Sequence, residues 1–362
     1  MSSVYVIGLL MAFSSVLCQD EIKLGKQIVE ANNRFAFDMY NAIKDEGNDN
    51  IFISPMSIST CMGMLYMMAN GTTAREISDT MHFPKEHEGT ALGFQQCLKG
   101  LDEEAFTWAN NIFINKSFHV KQAFLDTLNN YWKAVAEKLD FSHEPKKSRD
   151  HINDWVSSKT NQMIKDLLPE SFPEGDTAMV LVSALHFKRP WIAHFQNKTE
   201  KGTFHLANGK TVNVDVMYAE DSSFSIKRLK DIKADVLKIP YKGDKQSMLI
   251  FQPLDHDGLP ALENELKQLD LNNLLKTMWS GVSVQVTMPK FKYEDSRKLK
   301  SPFQKLGLNR IFSSFDAEFT RASDNRNLEV SQIYHKAMII VDEKGTEAAA
   351  ATGNDEFNIT LM

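Results

Sequence analysis

Three cysteines in 362 residues cannot build a disulfide scaffold, so the fold must stand on its hydrophobic core. An excess of positive charge is also missing. The net charge is −6 and the isoelectric point is near 6.0, which removes the basic field that nucleic-acid binding draws on. Beyond the N-terminus no apolar run is long enough to span a bilayer, so no membrane partner is expected. The local signatures of common enzymes are absent as well: no G-x-S-x-G, H-E-x-x-H, Walker loop or paired C-x-x-C occurs. No catalytic residue, metal site or cofactor is therefore expected. No internal repeat, low-complexity tract or Pro/Gly-rich linker divides the chain, and residues 19–362 read as one folding unit.

What is present is ordinary for a soluble globular protein, with 43% hydrophobic and 24% charged residues. The N-terminal apolar run from Val4 to Leu17 is short and ends before polar Gln19 and Asp20, which predicts a signal peptide over residues 1–18 and a secreted, extracellular protein. No Lys or Arg precedes that run, so a buried N-terminal helix stays open as the alternative. Cleavage after Cys18 would leave Cys61 and Cys97. Cys61, in the apolar run STCMGMLYMMA, reads as a small buried hydrophobe, and a bridge between the two is left open. Acceptor triplets occur at Asn70, Asn115, Asn197 and Asn358, and passage through the secretory pathway makes the first three candidate glycan sites.

Periodicity changes along the chain. Ile28, Asn32, Phe35, Met39 and Ile43 step at helical spacing, and Ser54-Pro55 opens a long apolar helix through Met68. Further helices are expected over about 123–138 and 148–168. Later, MVLVSALHF (179–187), ADVLKIPY (234–241), SMLIFQP (247–253) and VSVQVTMPKF (282–291) are β-branched or alternating runs between Gly, Pro and Asp, which is strand chemistry. Helices early and strands late predict an α+β fold with large antiparallel sheets.

The most informative stretch is HKAMIIVDEKGTEAAAATG, His335 to Gly353. TEAAAAT is a good helix by propensity, with Thr346 as N-cap. As a strand it places Thr346, Ala348, Ala350 and Thr352 on one face and Glu347, Ala349 and Ala351 on the other. Such a strand has no bulky side chain to force into a core beneath it, and Gly345 supplies a hinge. Both readings stand on composition.

This stretch resembles the hinge of an inhibitory serpin, a serine protease inhibitor, and the resemblance extends through the chain in order. NIFISPMSIST (50–60), FKRPW (187–191) with TFHL (203–206), VLKIPYKGDKQSMLIFQP (236–253), MPKFKYE (288–294) and LEVSQIYHKA (328–337) are similar to successive family motifs, covering about residue 25 to 362. The resemblance implies a monomeric, metastable fold with about nine helices and three β-sheets. Its exposed reactive loop is bait: a protease is acylated by the loop, the loop inserts as a new central strand, and the acyl-enzyme is distorted before water can release it.

The same resemblance implies roles for particular residues. Glu343, Lys344, Gly345 and Thr346 through Glu347, Ala348, Ala349, Ala350, Ala351 and Thr352 form the hinge. The family's spacing from Glu343 puts the reactive bond between Ile359 and Thr360, with Phe357, Leu361 and Met362 as alternatives. No Lys or Arg lies between Gly345 and Met362, which favours elastase-like or chymotrypsin-like targets over trypsin-like ones and leaves papain-like cysteine proteases open. A glycan at Asn358 would block the bait, so that triplet is expected to stay unused. Ser54, Ser57, Ser183 and His335 correspond to the polar shutter under the opening point of the main sheet. Trp191, Lys290 and Glu343 correspond to the breach at its top. Two positions depart from the family's pattern, with Ser183 where Asn is usual and Arg189 where Gly is usual; the shorter side chain at 183 is expected to weaken the polar cluster.

Members of the family continue past the reactive bond through further strands, whereas this sequence stops at Met362, which implies a partial sequence or the larger piece of a cleaved inhibitor. The runner-up reading is a non-inhibitory member, a carrier or storage protein, or an inactive truncated form. Two basic groups, Lys146, Lys147 and Arg149, and Lys227, Arg228, Lys230 and Lys233, read as solvated faces balanced by nearby acids in preference to a glycosaminoglycan site.

Overall fold

The computed structural model describes residues 22–44, 50–99, 106–343 and 357–360, apart from short internal breaks at 174–175, 188, 193–194, 197–199, 207–208, 222, 244–245, 256, 267 and 282. Among the described residues there are nine α-helices and three sheets, an α+β arrangement. The chain divides into two compact units. Among the described residues, one comprises those in 22–187 and 294–338, and the other those in 188–293, 339–343 and 357–360.

The first unit holds α1 (Ile22–Lys44), α2 (Pro55–Met68), α3 (Gly71–Met81), α4 (His87–Lys99), α5 (Gln122–Trp132), α6 (Pro145–Lys159) and α9 (Lys300–Lys305). Its strands are β1 (Phe106–Asn115), β2 (Glu137–Leu139) and β3 (Met179–Phe187). The division of the chain falls within β10 (Phe291–Lys298) and β11 (Gln332–Val341). These strands form a five-stranded sheet in the order β10-β11-β3-β1-β2.

Ser54 caps α2 by accepting the Ser57 N–H on its hydroxyl, with Pro55 in the first turn, where its missing N–H costs nothing. From Met56 to Met68 α2 is buried all round, as its continuous apolar sequence requires. β3 is buried at every position, because both faces are covered. The Cys61 thiol of α2 meets the Val182 carbonyl at 2.9 Å. Ile152 and Val156 of α6 share a core with Phe113, Val180 and Val182. Cys61 and Cys97 are both free, which closes the question of a bridge. Burial pushes the Cys61 thiol far up and the Cys97 thiol up to about 12, so neither is a reactive thiolate.

Two helices differ from their sequence-based bounds. The helix expected to reach 138 stops at Trp132, because Lys133 turns left-handed at φ 50° and caps the helix through its own N–H. The helix expected over 148–168 begins at Pro145 and stops at Lys159. Thr160 donates its N–H and hydroxyl back to the last turn, and Asn161 and Gln162 at φ 52° and 62° cannot continue it.

The second unit carries two sheets and two helices, α7 (Leu259–Leu266) and α8 (Leu271–Thr277). β6 (Ser225–Leu229), β7 (Ala234–Pro240) and β8 (Ser247–Pro253) make a three-stranded antiparallel sheet. β4 (Glu200–His205), β5 (Thr211–Asp221), β9 (Val284–Pro289) and β12 (Phe357–Thr360) make a four-stranded one in the order β12-β9-β5-β4.

Candidate functional site

In the first unit Ser54, Ser57, Ser183 and His335, the residues expected to form the shutter, meet in one buried network. His335 Nε2 lies 3.0 Å from the Ser54 backbone nitrogen. A backbone N–H can only donate, so Nε2 accepts and carries no proton. The proton therefore sits on Nδ1, which donates to the Ser183 carbonyl and hydroxyl oxygens, both at 3.1 Å. The Ser183 hydroxyl is left to donate to Ser57 Oγ at 2.8 Å, and Ser57 donates to Asn110 Oδ1 at 2.7 Å. One direction of donation satisfies the whole chain.

Burial pushes the His335 imidazole down to about 3, against the opposing pull of the Ser183 carbonyl, and the Arg297 cation adds to the depression. The ring is neutral at any physiological pH. Asn110 was not legible as a shutter residue from local sequence. The register of β1 on β3 sets it directly opposite Ser183, where its amide oxygen accepts from Ser57. The shorter Ser183 side chain is bonded on both sides, so the expected weakening of this cluster has no counterpart in its hydrogen bonding.

In the second unit Trp191, Lys290 and Glu343 lie in one cluster of contacts. The Trp191 ring stacks on Tyr241 at 4.3 Å and 14°, and its indole N–H donates to the Asp342 carbonyl at 3.0 Å. Glu343, next in the chain, pairs with Lys290 at 2.8 Å. The Glu343 carboxylate raises the Lys290 ammonium above its ordinary value by accepting its hydrogen bond. The Lys290 backbone N–H donates to Asp215 of β5 at 2.8 Å, fixing the position from which its side chain reaches out. Tyr241 and Asp342 escape sequence reading because one contributes a ring face and the other only a carbonyl. Arg189 donates to the Lys242 carbonyl at 2.8 Å, a contact that glycine at that position would lack.

Lys344 and the hinge from Gly345 to Thr352 lie outside the described residues, as do Leu361, Met362, the 1–18 segment and Asn197. Phe357–Thr360 differ from the expected free loop. They form β12, an edge strand parallel to β9, in which Ile359 pairs with Val286 and Thr360 with Thr287. Alternation of Phe357 and Ile359 with polar residues suits such pairing.

Asn70 is exposed, whereas Asn115 is buried, with its amide nitrogen donating to Ser142 Oγ at 3.0 Å and the Thr177 carbonyl at 3.2 Å. The expectation of a glycan at Asn115 is corrected accordingly, because the acceptor nitrogen is enclosed in this fold. Of the basic residues noted above, Lys147, Arg149, Arg228 and Lys233 each pair with an acid.

Comparison with known proteins agrees with this fold. The Serpin (serine protease inhibitor) family profile matches residues 30–361. Human Serpin B4 is 34% identical over 348 residues, spanning 89% of this chain and 88% of that protein. The leukocyte elastase inhibitor of Bos taurus is 34% identical, spanning 91% and 89%. The crystal structure of Serpin48 of the insect Tenebrio molitor, described as highly specific, superposes with a TM-score of 0.82 at 28% identity, spanning 94% of this chain and 93% of that one.

Proposed function

The chain belongs to the serpin family, whose members are mainly protease inhibitors rather than enzymes, and from that premise we propose that it is a secreted suicide-substrate inhibitor of an elastase-like or chymotrypsin-like serine protease. The observation that carries the reading is the anchored base of the loop: Trp191 and Lys290 hold Asp342 and Glu343, directly before a run of small residues. The protease serine attacks the Ile359 carbonyl, the amine of Thr360 leaves, and the acyl-enzyme is carried away as Thr346–Thr352 enters the main sheet. The target class follows from the apolar residues and the absence of Lys and Arg after Gly345. The inhibitor name of the bovine relative supports an elastase-like target. Secretion follows from the apolar N-terminus, and Asn70 is the exposed candidate for glycosylation.

Incubation with pancreatic-type elastase, chymotrypsin and trypsin, followed by denaturing electrophoresis and mass spectrometry, tests the proposal. A covalent complex with the first or second, and a new C-terminus at Ile359, is expected. Clean cleavage with no complex would sink it. One observation favours the non-inhibitory alternative: the mapped bond is paired in β12, and a protease must draw that strand from β9 before the bond enters its cleft. Loop cleavage raises the unfolding temperature of a protein that inserts its loop and leaves that of a non-inserting one unchanged.

A further inference from the structure

Residues 190–192 run antiparallel to 240–242, with Trp191 opposite Tyr241. The Lys242 N–H donates to the Pro190 carbonyl at 2.7 Å, and the Ile192 N–H to the Pro240 carbonyl at 3.1 Å. In an antiparallel ladder the residues of each hydrogen-bonded pair exchange both of their bonds. Here neither bond is returned, because residues 190 and 240 are both proline and have no N–H to give. The Lys242 carbonyl is thus left without its main-chain donor.

Arg189 supplies a donor from its side chain. Its Nε–H reaches the Lys242 carbonyl at 2.8 Å, a bond from a charged group and so stronger than the one it replaces. Its Nη2 lies 3.0 Å from where a Cβ at residue 243 would stand, and that residue is Gly243, at φ +94°. One glycine therefore both turns the chain and leaves room for the guanidinium. Arg189 and Pro190 belong together: the proline removes a ladder bond and the arginine restores it. What the ladder fixes is Trp191. Its ring lies on Tyr241, and its indole N–H donates to the Asp342 carbonyl, beside the Glu343 that Lys290 holds. Next to two backbone bonds, the Arg189 bond is a large share of what aims the indole.

We propose that Arg189 is a positioning residue of the loop base: it fixes Trp191 against Tyr241 and so sets how readily Asp342 is released. This rests on the inhibitor reading above, in which the anchored base must let go before the loop enters the sheet. The test compares the full chain with Arg189→Ala, Pro190→Ala and the double variant, which returns a main-chain N–H to residue 190. One readout is the exchange rate of the Trp191 indole proton in protein labelled with nitrogen-15 tryptophan, its resonance assigned by its loss in Trp191→Phe. The other is the half-life of complex formation with elastase or chymotrypsin at raised temperature. Arg189→Ala should exchange that proton about tenfold faster and lose activity sooner. Pro190→Ala should match the wild type, and the double variant should return most of the way to it, a rescue that a merely space-filling arginine would not allow. Unchanged exchange in Arg189→Ala would overturn the proposal. Faster exchange that the double variant fails to rescue would overturn it too, since Arg189 would then act by covering Gly243. Faster exchange with an unchanged half-life would overturn its control of the loop base. If the wild type forms no complex, the inhibitor reading fails, while the exchange rates still decide whether Arg189 positions Trp191.

Discussion

In the first unit the polar groups are neutral and buried from the Ser54 N–H through His335, Ser183 and Ser57, and the chain ends at half-buried Asn110. At the breach the polar contact is an ion pair, with Glu343 9% exposed and Lys290 31% exposed, beside an aromatic stack. The two respond to different perturbations. A buried hydrogen-bonded network cannot exchange a lost partner for water, so its breakage is costly and insensitive to salt. The Lys290–Glu343 pair is partly open to water on its Lys290 side, so it is more exposed to screening than the network. The first of these contacts is thus held firmly and the second loosely.

The comparison breaks most visibly at His335. His335→Ala removes the acceptor of the Ser54 N–H and the donor to Ser183, and leaves a cavity in a fully buried site. It should cost on the order of 3 kcal/mol by urea unfolding. A loss under about 1 kcal/mol would show that the network is not what holds this sheet.

Acid reaches the same residue without mutation. The His335 pKa is lower in the folded protein than its ordinary value near 6.5, so its contribution is fully present above about pH 6.5 and is lost as pH falls from there toward the folded value of about 3. Between pH 7 and pH 5 it should remove roughly 2 kcal/mol. His335→Gln, which can still donate and accept, should flatten that slope even if it folds less stably. Lys290 is the opposite case. Its raised pKa means that its contribution is intact below its ordinary value and is lost only as pH rises through the folded one, at the alkaline end.

A smaller effect is expected at Trp191. Trp191→Phe keeps a ring to stack on Tyr241 but loses the N–H that holds the Asp342 carbonyl, at a cost of about 1 kcal/mol. Its larger consequence should be at the loop, measured as a faster loss of inhibitory activity on incubation at raised temperature. An unchanged half-life would mean that the indole N–H does not restrain Asp342.

Much of the fold was legible because its signals are local. The burial of β3 follows from nine successive residues, and α2 from an apolar run behind Ser54-Pro55. The ends of α5 and α6 were not, since they depend on Lys133, Asn161 and Gln162 accepting positive φ, which no apolar period encodes. At the sites, the motif residues Ser54, Ser57, Ser183 and His335 share one hydrogen-bond network, and Lys290 and Glu343 one ion pair. Asn110 was missed because its role is set by β1–β3 register, and Asp342 because it acts through its main chain. Asn115 misled because a triplet specifies an acceptor but not its burial.

The sharpest form of the comparison lies at its weaker end. Lys290→Ala removes a partly exposed partner, so its cost should be about 1 kcal/mol or less in dilute buffer. Raising the salt concentration to about 1 M shortens the screening length to about 3 Å, and should bring wild type and Lys290→Ala together while leaving the His335→Ala deficit in place. Convergence of the first pair with persistence of the second is what a screened ion pair and a dry network require. If the Lys290→Ala deficit also survives salt, the Lys290 stem contributes by packing, and the breach is held by the same kind of burial as the shutter.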